Sequence, residues 1–162
     1  AVMAHLTEDK SVKARWTCVY PAYIDKNKTL AQGRRVSKDS ATEFPHPAFI
    51  SEVLTTAGFN MEAEQKLYPR EAIGFGFHAR FRVQLFDGDD KPCNAQVKNK
   101  MTLLRFIAQR IPETDKYKEW RTAVEAEKTK REEKAQLEAA AERQKQQSQS
   151  SKPSKKKNKK KK

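Results

Sequence analysis

Several stretches of the chain alternate apolar and polar positions in a way that predicts regular elements. In PAFISEVLTTAG, Ile50, Val53, Leu54 and Ala57 fall at i, i+3, i+4 and i+7, one face of an α-helix. Pro47 suits its first position and Gly58 its stop. NKMTLLRFIAQRIP repeats the pattern with Leu104, Ile107, Ala108 and Ile111; Asn99 is placed to cap it and Pro112 to end it. RWTCVYPAYI, residues 15–24, is rich in strand formers (Trp16, Val19, Tyr20, Tyr23), with Pro21 confining it to an edge or a bulge. FNMEAEQ alternates Phe59, Met61 and Ala63, and Phe77 to Leu85 is the clearest strand. The order is β-α-β-β-α, which predicts an α+β sandwich: a three-stranded, mainly antiparallel sheet with two helices on one face, spanning about 13–112. Residues 1–12 read as an N-terminal extension.

The stretch IGFGFHARFRVQLF within this pattern resembles the aromatic strand of an RNA-recognition motif, in which Phe75 and Phe77 would stack on single-stranded RNA bases. Strand parity argues against that alternative. Phe75, Phe77, Phe81, Val83 and Leu85 share one side; Gly74, Gly76, His78, Arg80, Arg82 and Gln84 share the other. Turning the rings toward RNA would press Arg80 and Arg82 against the helices, and burying two unpaired guanidiniums costs several kcal/mol. The expectation is therefore the reverse, with Phe77, Phe81, Val83 and Leu85 in the core and the arginines outward.

Beyond residue 112 the pattern changes. Residues 113–147 are rich in Ala, Glu, Lys and Gln, which predicts a helix, but Trp120, Val124 and Leu137 do not repeat as a heptad seam. The segment reads as an exposed helical spacer. Residues 148–162, SQSSKPSKKKNKKKK, hold nothing to bury and read as a disordered lysine-rich tail. Net charge is +13. The tail contributes 8 lysines to it, whereas residues 11–115 hold 16 basic and 12 acidic side chains. Such a tail adds salt-sensitive affinity for any phosphate backbone and also suits a nuclear address.

Other chemistry finds little support. Cys18 and Cys93 form no CxxC and no disulfide framework, and His5, His46 and His78 share no metal-ligand spacing with them. Neither a phosphate loop nor a nucleophile–base pair is present, so the chain reads as a non-enzyme without cofactor, metal or small-molecule substrate. No apolar run nears the roughly 18 residues that span a bilayer, so no stable membrane insertion is expected.

The most unusual feature is the 22-residue connection DKNKTLAQGRRVSKDSATEFPH, longer than structureless loops in compact domains generally are. Lys26, Lys28, Arg34, Arg35 and Lys38 place five cations there, with no acid between positions 26 and 38. Gly33 offers a turn that presents the arginines, and Tyr20 and Tyr23 stand beside it. Cations with aromatics suit phosphates and an unpaired base, and a basic loop with glycine is expected to order on binding.

CVYPAYIDKNKTLAQGRR, QKLYPRE, RFRVQL and the lysine tail together resemble the family of 19-kDa subunits of the eukaryotic signal recognition particle, over about 100 residues. The resemblance implies a β-α-β-β-α fold and an RNA-binding role in targeting nascent proteins to the endoplasmic reticulum membrane. Such proteins clamp the tips of two neighbouring hairpins of the particle's RNA, one closed by a purine-rich tetraloop. The clamped RNA then accepts the signal-sequence-binding GTPase subunit, a partner reached indirectly through the RNA. By motif, the resemblance implies RNA contacts from Tyr23, Lys28, Arg34 and Arg35, from Lys66, Tyr68 and Arg70, and from Arg82. Tyr20, Lys26, Lys38 and Arg80 join them from the loop and strand reading, while Glu64 and Glu71 are alternative partners for Lys66 and Arg70. It also implies a cytoplasmic protein with a nuclear or nucleolar assembly phase.

Overall fold

The computed structural model describes residues 9–71 and 76–150. Its elements are β1 (Thr17–Val19), α1 (Pro47–Thr56), β2 (Met61–Glu64), β3 (Arg80–Val83), α2 (Lys100–Arg110) and α3 (Asp115–Ser150). The sheet order is β1-β3-β2, with both ladders antiparallel. This is an α+β fold with β3 central. The expectation from Phe75 lies outside the described residues, as does most of the lysine tail.

Both helices start where the residues dictate. Pro47 opens α1, where its missing N–H costs nothing, and His46 Nδ1 accepts from the Ala48 N–H at 3.2 Å. Gly58 follows with φ +73°, a conformation that suits glycine beyond a helix end. Asn99 and Thr102 form a reciprocal capping box on α2.

The sheet's register sorts its side chains. Val19 and Val83 are completely buried and Phe81 nearly so, as are Ile50, Leu54, Leu104 and Ile107 of the helices. Cys18, Glu62 and Arg82 lie on the adjacent rung and point to the other face. Leu103 is also fully buried, an addition to the helical face read from the sequence.

Three expectations need correction. The first strand is only Thr17–Val19; at Pro21 the chain turns into a 3-10 helix, Pro21–Ile24, because proline has no N–H for a ladder and its fixed φ suits a turn. The third strand is Arg80–Val83, so Phe77 precedes it. Phe77 is half-buried beside Phe44 and His46, with ring centroids 5.4 and 5.1 Å away, in a satellite cluster and not beneath the sheet. Gln84, placed outward by parity, is buried: it accepts from the Asn60 amide at 2.9 Å and donates to Phe86 O at 3.1 Å. Alternation holds only inside the ladder, which ends at Val83.

Packing also continues past Pro112. Tyr117, in the first turn of α3, is buried with its ring 5.6 Å from that of Phe49, and Lys116 pairs with Glu52 at 3.6 Å. The first compact unit accordingly runs to Glu119.

The second unit starts at Trp120. Residues 121–140 are exposed throughout, Leu137 to 76%. Ion pairs four residues apart, such as Arg131–Glu127 at 2.8 Å and Arg121–Glu125 at 3.1 Å, support this stretch in place of a buried stripe.

Phe81→Ala should cost about 3–5 kcal/mol in urea unfolding followed by circular dichroism, because it empties the sheet's centre. Phe77→Ala should cost clearly less; equal losses would contradict the placement of Phe77 in a peripheral cluster.

Candidate nucleic-acid interface

The cationic loop is closed at its base and braced inside. Asp25 and Thr42 form a parallel bridge, with the Lys26 N–H donating to Thr42 O at 2.8 Å and the Thr42 N–H to Ile24 O at 2.9 Å. Thr42 Oγ1, buried, donates to Ala108 O of α2 at 3.1 Å. Val36 is 2% exposed and anchors the middle. The Arg34 side chain donates to Lys28 O at 2.9 Å and to Val36 O, joining the loop's two limbs. Hydrogen bonds within the loop and one to α2 thus brace it.

Beneath it lie three tyrosines. Tyr20, Tyr23 and Tyr68 are each less than 10% exposed and pack with ring centroids 5.2–5.5 Å apart. Burial raises the Tyr23 phenol pKa against the pull of Arg35. Gly33, with φ +120°, lies directly on Tyr68: a Cβ there would stand 2.4 Å from the ring. The loop closes on the cluster only because that position has no side chain. The structure places Tyr20, Tyr23 and Tyr68, expected to offer faces to RNA, beneath the loop, where their rings form its floor.

The cations divide into two sets. Lys28 pairs with Glu71, both largely buried, and Asp25 stands close by, its carboxyl pKa raised by burial despite Lys28. Lys26 pairs with Glu43 at 3.2 Å. On the open sheet face Glu64 holds Arg80, and Arg82 at 2.7 Å; the two arginine side chains are only 14% and 21% exposed. Burial works against ionisation of Glu64, but the hydrogen bonds from Arg82 and Arg80 outweigh it and hold its carboxyl below the usual range. Lys26, Lys28, Arg34, Arg80 and Arg82 are thus committed internally: Lys28, Arg80 and Arg82 to carboxylates of other segments, Lys26 to Glu43 and Arg34 to carbonyls of the loop itself.

The second set is Arg35, Lys38, Lys66 and Arg70, all exposed and without a carboxylate partner among the described residues. Glu64 and Glu71, the alternative partners of Lys66 and Arg70, are already engaged. Arg35 caps the Tyr23 ring with Cζ 4.8 Å from the centroid. Lys100, which loop-based reasoning missed, lies over the same ring with Nζ at 4.9 Å. Its only sequence signal is a basic residue beside the cap of α2.

A small α+β domain that braces a cationic loop on buried tyrosines and leaves unpaired cations on its rim belongs to the class of basic polyanion-binding modules. The particular family follows from comparison. The family model described as SRP19 protein matches residues 18–114, and the chain belongs to that family. It is 40% identical over 108 residues to a probable signal recognition particle 19 kDa protein of Caenorhabditis elegans, covering 65% of this chain and 75% of the relative. It is 35% identical over 100 residues to the signal recognition particle 19 kDa protein of Homo sapiens, covering 60% and 69%. A crystal structure of SRP19 in complex with the S domain of signal recognition particle RNA is 30% identical and covers 61% of this chain and 100% of that one; its TM-score is 0.48.

Gly33→Ala should destabilise the domain by about 1–3 kcal/mol from backbone strain alone, and more once the Tyr68 ring is displaced. Thermal melting together with faster proteolysis between residues 26 and 41 would show it. The depressed Glu64 carboxyl contributes stability that is present above its unfolded value of 4.5 and is lost as pH falls through the lower folded value. Glu64→Gln should therefore lower the melting temperature at pH 7 and flatten its decline below pH 4.5.

Proposed function

We propose that the chain is the RNA-binding subunit of a signal recognition particle. It grips the tips of two neighbouring hairpins, one with a purine-rich tetraloop, and presets the RNA for the signal-sequence-binding GTPase subunit. One observation carries this reading. Arg35 and Lys38 in the loop, and Lys66 and Arg70 in the 65–71 segment, are exposed cations without carboxylate partners among the described residues, on segments tied together by Lys28–Glu71 and by Gly33 on Tyr68. Two such sets at a fixed separation suit two phosphate backbones held in one orientation, and rigidity of the frame reduces the ordering cost of binding.

In this mechanism the arginines and lysines of the first set position the grip, and those of the second make it. Arg34 shapes the loop; Arg80 and Arg82, locked by Glu64, stiffen the open sheet face, and Arg82 is the more exposed of the two. The lysine tail adds contacts without sequence preference and serves as a nuclear address. The proposed localisation is the cytoplasm, with assembly in the nucleus or nucleolus.

The test is filter binding to S-domain RNA at several salt concentrations. Arg35→Gln with Lys38→Gln should weaken binding and reduce the salt slope by about one for every phosphate that no longer meets a cation. Unchanged affinity and slope in a folded double variant would sink the loop grip. Footprinting should show both hairpin tips protected together; protection of one alone would contradict the two-tip arrangement.

A further inference from the structure

Lys100 and Arg35 are 65 positions apart in sequence, yet both cover one ring. The Arg35 N–H donates to Tyr23 O at 2.8 Å, which pins the arginine beside the tyrosine it covers. Lys100 is fixed by the capping box of Asn99 and Thr102 at the start of α2 and by Val97, completely buried just before it. Two like charges are thus brought together by rigid elements. No carboxylate answers either of them among the described residues, whereas Lys13, Lys26, Lys28, Arg80 and Arg82 are each paired with a glutamate. Burial, and then the neighbouring guanidinium, lower the Lys100 pKa, so its ammonium is held at a cost.

We propose that Arg35 and Lys100 form a two-pronged seat for a single backbone phosphate of the RNA, with the Tyr23 ring as its floor. This rests on the RNA-binding reading and adds α2 to the interface. A phosphodiester would set its single negative charge between the two cations, accept charge-assisted hydrogen bonds from each, and offset the repulsion between them. Arg35 offers a planar fork and Lys100 a compact point charge, a pair that engages the two non-bridging oxygens from different directions.

The experiment measures S-domain RNA binding against salt for the wild-type protein, Arg35→Gln, Lys100→Gln, the double variant, Lys100→Arg and Lys98→Gln, with thermal melting of each. Lys98 is an exposed neighbour and controls for net charge. Lys100→Gln should weaken binding about tenfold and lower the salt slope by about one, with Lys100→Arg largely restoring it. Its melting temperature should hold or rise, because an unpaired half-buried cation is removed; a merely structural lysine would lower it. The double variant should be markedly less than additive, since both groups serve one phosphate. A Lys100→Gln protein indistinguishable from Lys98→Gln, or an additive double variant, overturns the shared seat. Wild-type protein that fails to bind the RNA overturns the RNA-binding reading and the seat with it. Weaker binding in Arg35→Gln/Lys38→Gln but not in Lys100→Gln overturns the seat alone.

Discussion

The packing of Gly33 onto the ring of Tyr68 is the contact on which the rest of the interface depends. With φ +120° and no room for a Cβ, this position lets the loop descend onto Tyr20, Tyr23 and Tyr68. That descent brings Arg35 over Tyr23 and lets the Lys28 ammonium reach Glu71, a residue of another segment. A loop held one atom higher would lose all of these at once. Because aromatic clusters bury large areas in few residues, three rings suffice to give a long polar loop a floor.

Charge is then divided by location. Carboxylates stand where a cation must hold a shape: Glu71 on Lys28, Glu43 on Lys26, Glu64 on the two sheet arginines. The Glu71 and Glu64 pairs are partly desolvated, so removing one partner leaves a charge poorly solvated, and these pairs act chiefly as fixed geometry. Cations left over stand on the rim, where solvent screens them until a polyanion replaces it. The domain is therefore only modestly basic in sum while its rim is strongly so, and local arrangement matters more than the net +13.

The second unit follows different physics. Without a buried stripe, its helix is supported by propensity and ion pairs worth a few tenths of a kcal/mol each. Nothing among its described residues resembles the interlocked carboxylates and rings of the first unit.

Much of the fold was legible in the residues. The 3.6-residue periodicities of both helices, the Pro47 start, the Asn99 cap and the inward Phe81 and Val83 are local or parity-based signals, and they hold because propensity and burial agree there. The family resemblance and the cationic loop were equally visible. Sequence alone did not decide which cations are available. Arg34, Lys28 and Arg80 look like their neighbours in a string of letters, but each meets a carbonyl or carboxylate outside its own immediate turn or strand. Gln84 and Phe77 escaped for a related reason, as alternation stops where the ladder stops. Lys100 was invisible because its partners, Arg35 and Tyr23, come from the other end of the domain. Periodicity is written in adjacent residues; charge pairing and ring contacts at long range are decided only when tertiary packing brings the segments together.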